Sequence, residues 1–108
     1  MRSIFPISLL SAVLLWVTPL LGTDVAAGKD LYGKKCASCH GVAGEGKDSI
    51  AKTFKVEFRH LGSKDVQSKS DADLKKIILE GNGKMKAVKE VDSKAVDDIV
   101  AFMRTLKK

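Results

Sequence analysis

Residues 23–108 predict a helical domain, on three observations. Three stretches carry apolar residues at helical spacing, each with recognisable start and stop signals. Both prolines of the chain, Pro6 and Pro19, lie upstream of this part, so nothing in it forbids continuous helix. No segment alternates long enough to be assigned as a strand; residues 54–61 come nearest and suit a short strand or a helical turn equally. At 108 residues the chain has room for one domain.

The first 22 residues stand apart. Arg2 is their only charged side chain. An apolar run follows from Ile4 to Leu21, then the small residues Gly22, Thr23, Ala26 and Ala27. This is the layout of a secretory signal peptide. An uncleaved membrane anchor is the competing reading, because the run is about long enough to span a bilayer. Cleavage after Gly22 leaves the first helical pattern whole, whereas cleavage after Ala27 would cut into it. The expected division is therefore a leader over residues 1–22 and a domain over 23–108. Export implies a bacterial periplasm or another extracytoplasmic space, where a disulfide is permitted.

The first helix is expected from the N-cap Asp24 to about Lys35. It places Val25, Gly28, Tyr32 and Cys36 on one face. Gly28 and Gly33 weaken it in isolation, so tertiary packing must hold it. The second helix is expected after Ser70 and before Gly81, a C-cap residue, with Leu74, Ile77 and Ile78 as its apolar face. The third starts near Asp92 and runs to the end of the sequence. Its stripe is Val96, Ile99, Val100, Met103 and Leu106, with Phe102 alongside; Asp97 and Asp98 come early and Lys107 and Lys108 last, as the helix dipole favours. Residues 41–69 form a long connection opening on the loop Gly41-Val42-Ala43-Gly44-Glu45-Gly46. A structureless connection of that length is unusual in a compact domain, which points to a bound group organising it. Small domains also bury a modest share of their surface and commonly lean on a metal, disulfide or cofactor.

Composition narrows the function. The formal charge is +6, and it falls to +5 when Arg2 leaves with residues 1–22. The distribution excludes a multi-span membrane protein, a disulfide-dense scaffold and a disordered tail. No nucleic-acid-binding module is present, so nucleic acid is not an expected partner.

Both cysteines fall in one pentapeptide, Cys36-Ala37-Ser38-Cys39-His40. C-x-x-C-H is the attachment sequence of c-type haem. Two thiols add across the two haem vinyl groups, and two intervening residues let one turn of chain reach both. The next residue then offers an imidazole to the iron from the same side. A thioredoxin-like dithiol would want a strand before Cys36, and none is expected there. A closed zinc site needs four ligands, and His60 is isolated in sequence. A plain disulfide is the remaining alternative.

Haem iron in electron carriers is commonly held by His and Met. Met103 lies on the apolar stripe of the last helix, where a Met is usually core. Met85 lies in the polar, glycine-rich stretch Gly81-Asn82-Gly83-Lys84-Met85-Lys86, where ligation gives it a reason to exist. Met85 is the expected sixth ligand; His60, Met103 and an open position are the alternatives. His60, Arg59 and Lys55 are candidates for pairing with a haem propionate.

With these residues in place the domain resembles the small bacterial class I cytochromes c with one haem. The resemblance rests on Gly28-x-x-x-Tyr32-x-x-x-Cys36, on Ile99 and Phe102 in the last helix, and on Lys84-Met85 after Gly81-Asn82-Gly83. It implies an all-α class I cytochrome c fold: three main helices around one covalently attached haem c, whose edge is partly exposed. It also implies that Gly28 lets the first and last helices approach closely while an aromatic pair packs at their crossing. Two departures stand out. Lys86 follows Met85 where the family usually has proline, which predicts a more mobile methionine loop. No proline follows the haem motif, so another carbonyl, in residues 54–58, is expected to orient His40.

The expected function is a periplasmic one-electron carrier, not an enzyme. Its haem iron alternates between Fe(III) and Fe(II) between respiratory redox partners, with Leu74, Ile77, Val96, Ile99 and Phe102 drying the pocket. Lys34 and Lys35, and Lys84, Lys86 and Lys89, form basic clusters suited to acidic partner surfaces. A monomer is expected. The competing class is a haem sensor or peroxidase-like protein with an open sixth position.

Overall fold

The computed structural model describes residues 22–108. The expected leader therefore lies, apart from Gly22, outside the described residues. Six helices follow in order: α1 (Val25–Lys35), α2 (Ala37–His40), α3 (Asp48–Phe54), α4 (Lys64–Gln67), α5 (Asp71–Glu80) and α6 (Ser93–Arg104). Among the described residues the only β pairing is an isolated bridge between Asn82 and Met85. The three long helices are the three the sequence predicts, except that α6 stops at Arg104 instead of running to the end of the sequence, its last turn closed by the Thr105 N–H on the Phe102 carbonyl.

Their ends follow from local chemistry. The Asp24 carboxylate accepts from the Ala27 N–H at 3.1 Å, the Ser70 hydroxyl from Asp73 at 3.1 Å, and the Asp92 carboxylate from Ala95 at 2.7 Å. Each satisfies an amide that helix geometry leaves without a partner. Gly81 stops α5 with φ of +83°, a conformation most side chains avoid.

The central packing event is the crossing of α1 over α6. Gly28 is buried in it. A Cβ there would overlap the Asp98 carbonyl oxygen, sit 2.5 Å from its carbon and reach within 3.1 Å of Phe102 Cβ. One turn along, the Tyr32 and Phe102 rings meet with centroids 5.0 Å apart and planes tilted by 55°, a favoured aromatic geometry. Ile99 is wholly buried and Val96 nearly so; a side chain of that size contributes roughly 1.5–3 kcal/mol when buried. Met103 is also core. Asp98 does more than its early place in α6 suggests. It is buried, accepting from the Asp24 N–H at 2.8 Å and the Lys94 ammonium at 2.9 Å. It thereby ties the start of α1 to α6. On α5, Leu74 and Ile78 are buried while Ile77 is only half-buried.

Residues 41–69 are more ordered than the expected loop, for they contain α3 and α4. Neither is visible as periodicity, because α3 buries none of its residues and α4 only Val66. Polar anchors hold this region instead. The Gln67 side-chain amide donates to the carbonyls of Leu61 at 2.8 Å and Met103 at 3.1 Å. The Arg104 guanidinium donates to the carbonyls of Gln67 at 2.9 Å and Lys69 at 2.7 Å, and pairs with Asp71 at 2.7 Å. Residues 56–60 are irregular, neither strand nor helix.

Candidate metal centre

The pentapeptide sits where α1 breaks. Cys36 caps α1, its N–H donating to the Tyr32 carbonyl at 2.8 Å. The chain then re-enters helix for one turn, in which the N–H groups of Cys39 and His40 both donate to the Cys36 carbonyl, at 3.2 and 2.9 Å. Gly41 ends the turn with φ of +80°. The Tyr32 hydroxyl, buried under the crossing, donates to the Gly41 carbonyl at 2.6 Å. Burial raises the Tyr32 pKa far above its ordinary value, with the Cys36 and Glu45 charges adding to the effect, so this group remains a donor. The sequence pattern predicts the Tyr32 ring at the crossing but carries no sign of the role of its hydroxyl, which pins the turn carrying the motif.

Both cysteines are free thiols, Cys36 buried and Cys39 half-buried. Burial pushes the Cys36 thiol up to about 11, with the Cys39 charge adding to it. Reactive dithiols depend on a depressed thiol pKa, so the environment of Cys36 runs counter to that chemistry. Burial also lowers the pKa of His40, which favours the neutral imidazole a metal requires. His40 Nδ1 is buried with no hydrogen-bond partner among the described residues. The carbonyl expected from residues 54–58 to orient this ring is therefore not there. The Phe58 ring instead packs against the imidazole in a T-shaped arrangement, with centroids 5.3 Å apart and planes at 68°. A half-buried imidazole whose buried Nδ1 has no partner among the described residues, directly after two free thiols on a single turn, is a donor set that suits covalent haem. Among the described residues no three His, Cys, Asp or Glu side chains gather as a metal cluster, whereas a closed zinc site needs four ligands.

The chain after the motif leads to the second candidate ligand. The Gly46 N–H donates to the His40 carbonyl at 2.6 Å and the Lys47 N–H to that of Cys39 at 2.9 Å, which launches α3 from the motif. Met85, half-buried, closes a turn in which it and Asn82 exchange two backbone bonds of 2.9 Å. The Val88 N–H ties the following residues to the Ile78 carbonyl at 2.8 Å. The Lys84 ammonium donates to the carbonyl of Phe54, the last residue of α3. Backbone bonds thus join Cys36, Cys39 and His40 in one turn, while Met85 belongs to a separate turn reached through α3. His60 is engaged locally, its Nδ1 accepting from the Gly62 N–H at 2.9 Å. Arg59 lies 3.9 Å from Asp65.

Comparison with known proteins gives the family. The family described as cytochrome C oxidase, cbb3-type, subunit III matches residues 23–103. The chain is 35% identical over 91 residues to cytochrome c-554(547) of Halothiobacillus neapolitanus, covering 78% of this chain and 98% of that protein. The solved structure of the KustC0563 c-type cytochrome superposes with a TM-score of 0.64 at 30% identity, covering 75% of this chain and 98% of that one. These relatives account for the helical fold and imply covalently bound haem c, an electron-transfer role and redox partner proteins. No helix among the described residues is long and apolar enough to cross a membrane. The chain belongs to the c-type cytochromes, in the family described as cytochrome C oxidase, cbb3-type, subunit III.

Proposed function

We propose that this protein is an exported one-electron carrier in which Cys36 and Cys39 would hold haem through two thioethers, and His40 and Met85 would ligate its iron. The observation that carries this reading is the turn 36–40, with two free thiols and a half-buried imidazole whose buried Nδ1 has no partner among the described residues. When bound, the haem supplies an iron that alternates between Fe(III) and Fe(II). The chain supplies everything else. Burial lowers the His40 pKa and so favours the neutral imidazole that ligation needs. Met85 offers a soft, uncharged thioether, which favours the ferrous state relative to a second imidazole. With both His40 and Met85 bound, the iron would offer no place to oxygen or peroxide, which suits transfer of an electron without bond-making on a substrate. The buried Leu74, Val96, Ile99 and Phe102 keep water away, and low polarity there also raises the potential.

Partner choice follows from charge. Lys34 and Lys35 flank the motif and Lys84, Lys86 and Lys89 flank Met85, and a basic rim of this kind accelerates encounter with an acidic redox protein at low salt. The family description makes a respiratory oxidase complex a reasonable class of partner. The leader over residues 1–22 supports export to the periplasm.

The test is the optical spectrum of the protein matured in a host able to attach haem c, oxidised and then reduced. The expected result is covalent haem, with the weak far-red sulfur-to-iron band in the ferric form and no rapid carbon monoxide binding in the ferrous form. Covalent haem that lacks this band and binds carbon monoxide at once would transfer the protein to the sensor or peroxidase-like class.

A further inference from the structure

We infer that Lys84 is a positioning residue for Met85, strapping the methionine turn to the strut that rises from the haem-attachment motif. The inference rests on the proposed ligation by Met85. Four observations support it. First, the Lys84 ammonium reaches across 30 positions of sequence to the Phe54 carbonyl. Second, Phe54 ends α3, so its carbonyl is one of those a helix C-terminus leaves without an intrahelical partner. The following residue, Lys55, turns the chain away in the left-handed region with φ of +54°.

Third, the opposite end of α3 is bonded to the motif itself, through the Gly46 and Lys47 amides on the carbonyls of His40 and Cys39. Helix α3 buries no side chain, so these polar links define its place. Fourth, the other hydrogen bonds that hold residues 81–88 among the described residues are local or run to α5: the Asn82–Met85 pair, Gly81 to Ile77 and Val88 to Ile78. Among the described residues Lys84 thus supplies the hydrogen bond that joins residues 81–88 to α3, the helix that starts from the turn bearing His40. The residue after Met85 is Lys86 rather than the stiffening proline that the resemblance leads one to expect, so the strap does by a side chain what a rigid ring would do by backbone restriction.

Such a strap controls how often the thioether leaves the iron. An external ligand binds only the opened form, so its apparent affinity follows the opened fraction. The bond is charge-assisted but exposed, and its loss should raise the opened fraction roughly fivefold. The experiment uses ferric, full-length holoprotein titrated with imidazole, read by loss of the sulfur-to-iron band, with helix unfolding followed in parallel by circular dichroism. Four variants accompany the wild type. K84M removes the donor at similar length, K84R keeps a donor, M85A removes the thioether, and K86M removes the same charge two residues away.

The expected result is a K84M titration at about one-fifth of the wild-type imidazole concentration, K84R returning towards wild type and K86M matching it. K84M titrating like wild type, or like K86M, overturns the inference while leaving ligation by Met85 intact. A K84M effect matched by an equal fall in global helix stability also overturns it, because the residue would then be merely structural. A wild-type spectrum unaffected by M85A removes the ligation reading and the inference with it.

Discussion

The α1–α6 crossing predicts opposite outcomes for one substitution at two positions of a single helix. In Gly28→Ala the new methyl would overlap the Asp98 carbonyl oxygen and lie 2.5 Å from its carbon. That neighbour is backbone of α6, so no rotamer change relieves the clash and the helices must move apart. Overpacking of this kind costs roughly 1–3 kcal/mol, and a backbone obstacle places it near the upper end. Moving from Gly to Ala in a helix returns about 1 kcal/mol. The net expectation is a loss of about 2 kcal/mol. For a domain of this size that lowers Tm by roughly 8–16 °C. Gly33 lies in the same helix, and a methyl added there would meet nothing within 4 Å. There Gly33→Ala realises only the propensity gain, a rise of about 0.5–1 kcal/mol and a few degrees in Tm. Thermal unfolding of the holoproteins, followed by circular dichroism at the helical band, measures both. A G28A protein melting at or above wild type would refute the close-approach argument, since propensity would then account for both sites.

Other consequences are equally open to measurement. Tyr32→Phe leaves the buried Gly41 carbonyl without its donor and should cost about 1–2 kcal/mol, seen as a lower denaturant midpoint with an unchanged slope. The Asp98 pKa is held below its ordinary value of 3.8 by the Lys94 ammonium first and the Asp24 N–H second. A depressed carboxylate adds stability above its unfolded pKa and loses it as pH falls through the folded one. The stability difference between wild type and Asp98→Asn should therefore hold near neutral pH and shrink as the pH is taken below 3.8. A difference that stays constant through that range would show that the ionised form is not what matters. Replacing Cys36 and Cys39 together by alanine should leave no haem resistant to acid extraction, whereas either single variant should retain one covalent link; haem staining of denatured protein reads both.

Much of this molecule is legible in its sequence because its long helices announce themselves. Asp24, Ser70 and Asp92 are capping residues directly before apolar periodicity, and the structure uses all three as caps. The attachment motif is legible for a chemical reason, since spacing alone fixes what one turn of chain can reach. What stays hidden is held by contacts without periodicity. Helices α3 and α4 bury almost nothing, and the contacts that anchor them come from Gln67, Arg104 and backbone carbonyls far away in sequence. Lys84 reads in sequence as one more surface charge, because its acceptor is a main-chain oxygen with no residue signature. Asp98 reads as a dipole-compensating side chain, and only the crossing shows that its carboxylate is buried. Phe58 beside His40 is hidden for the same reason: residues 56–60 have no regular period that would aim a side chain.

The crossing of α1 with α6 also sets an order of events during biosynthesis. The two helices meet through contacts spanning up to 74 positions, so α1 has no partner until residues as far as Arg104 have been made. In a chain exported unfolded, as proposed above, that partner is still missing when the segment carrying Cys36 and Cys39 enters its new compartment. At that point the residues before Cys36 are a short helix weakened by two glycines, which is marginal on its own. The thiols therefore first emerge on pliable chain, accessible to an attachment machinery. The glycine that allows this close crossing in the finished protein also keeps its unfinished first helix loose while the cofactor is joined.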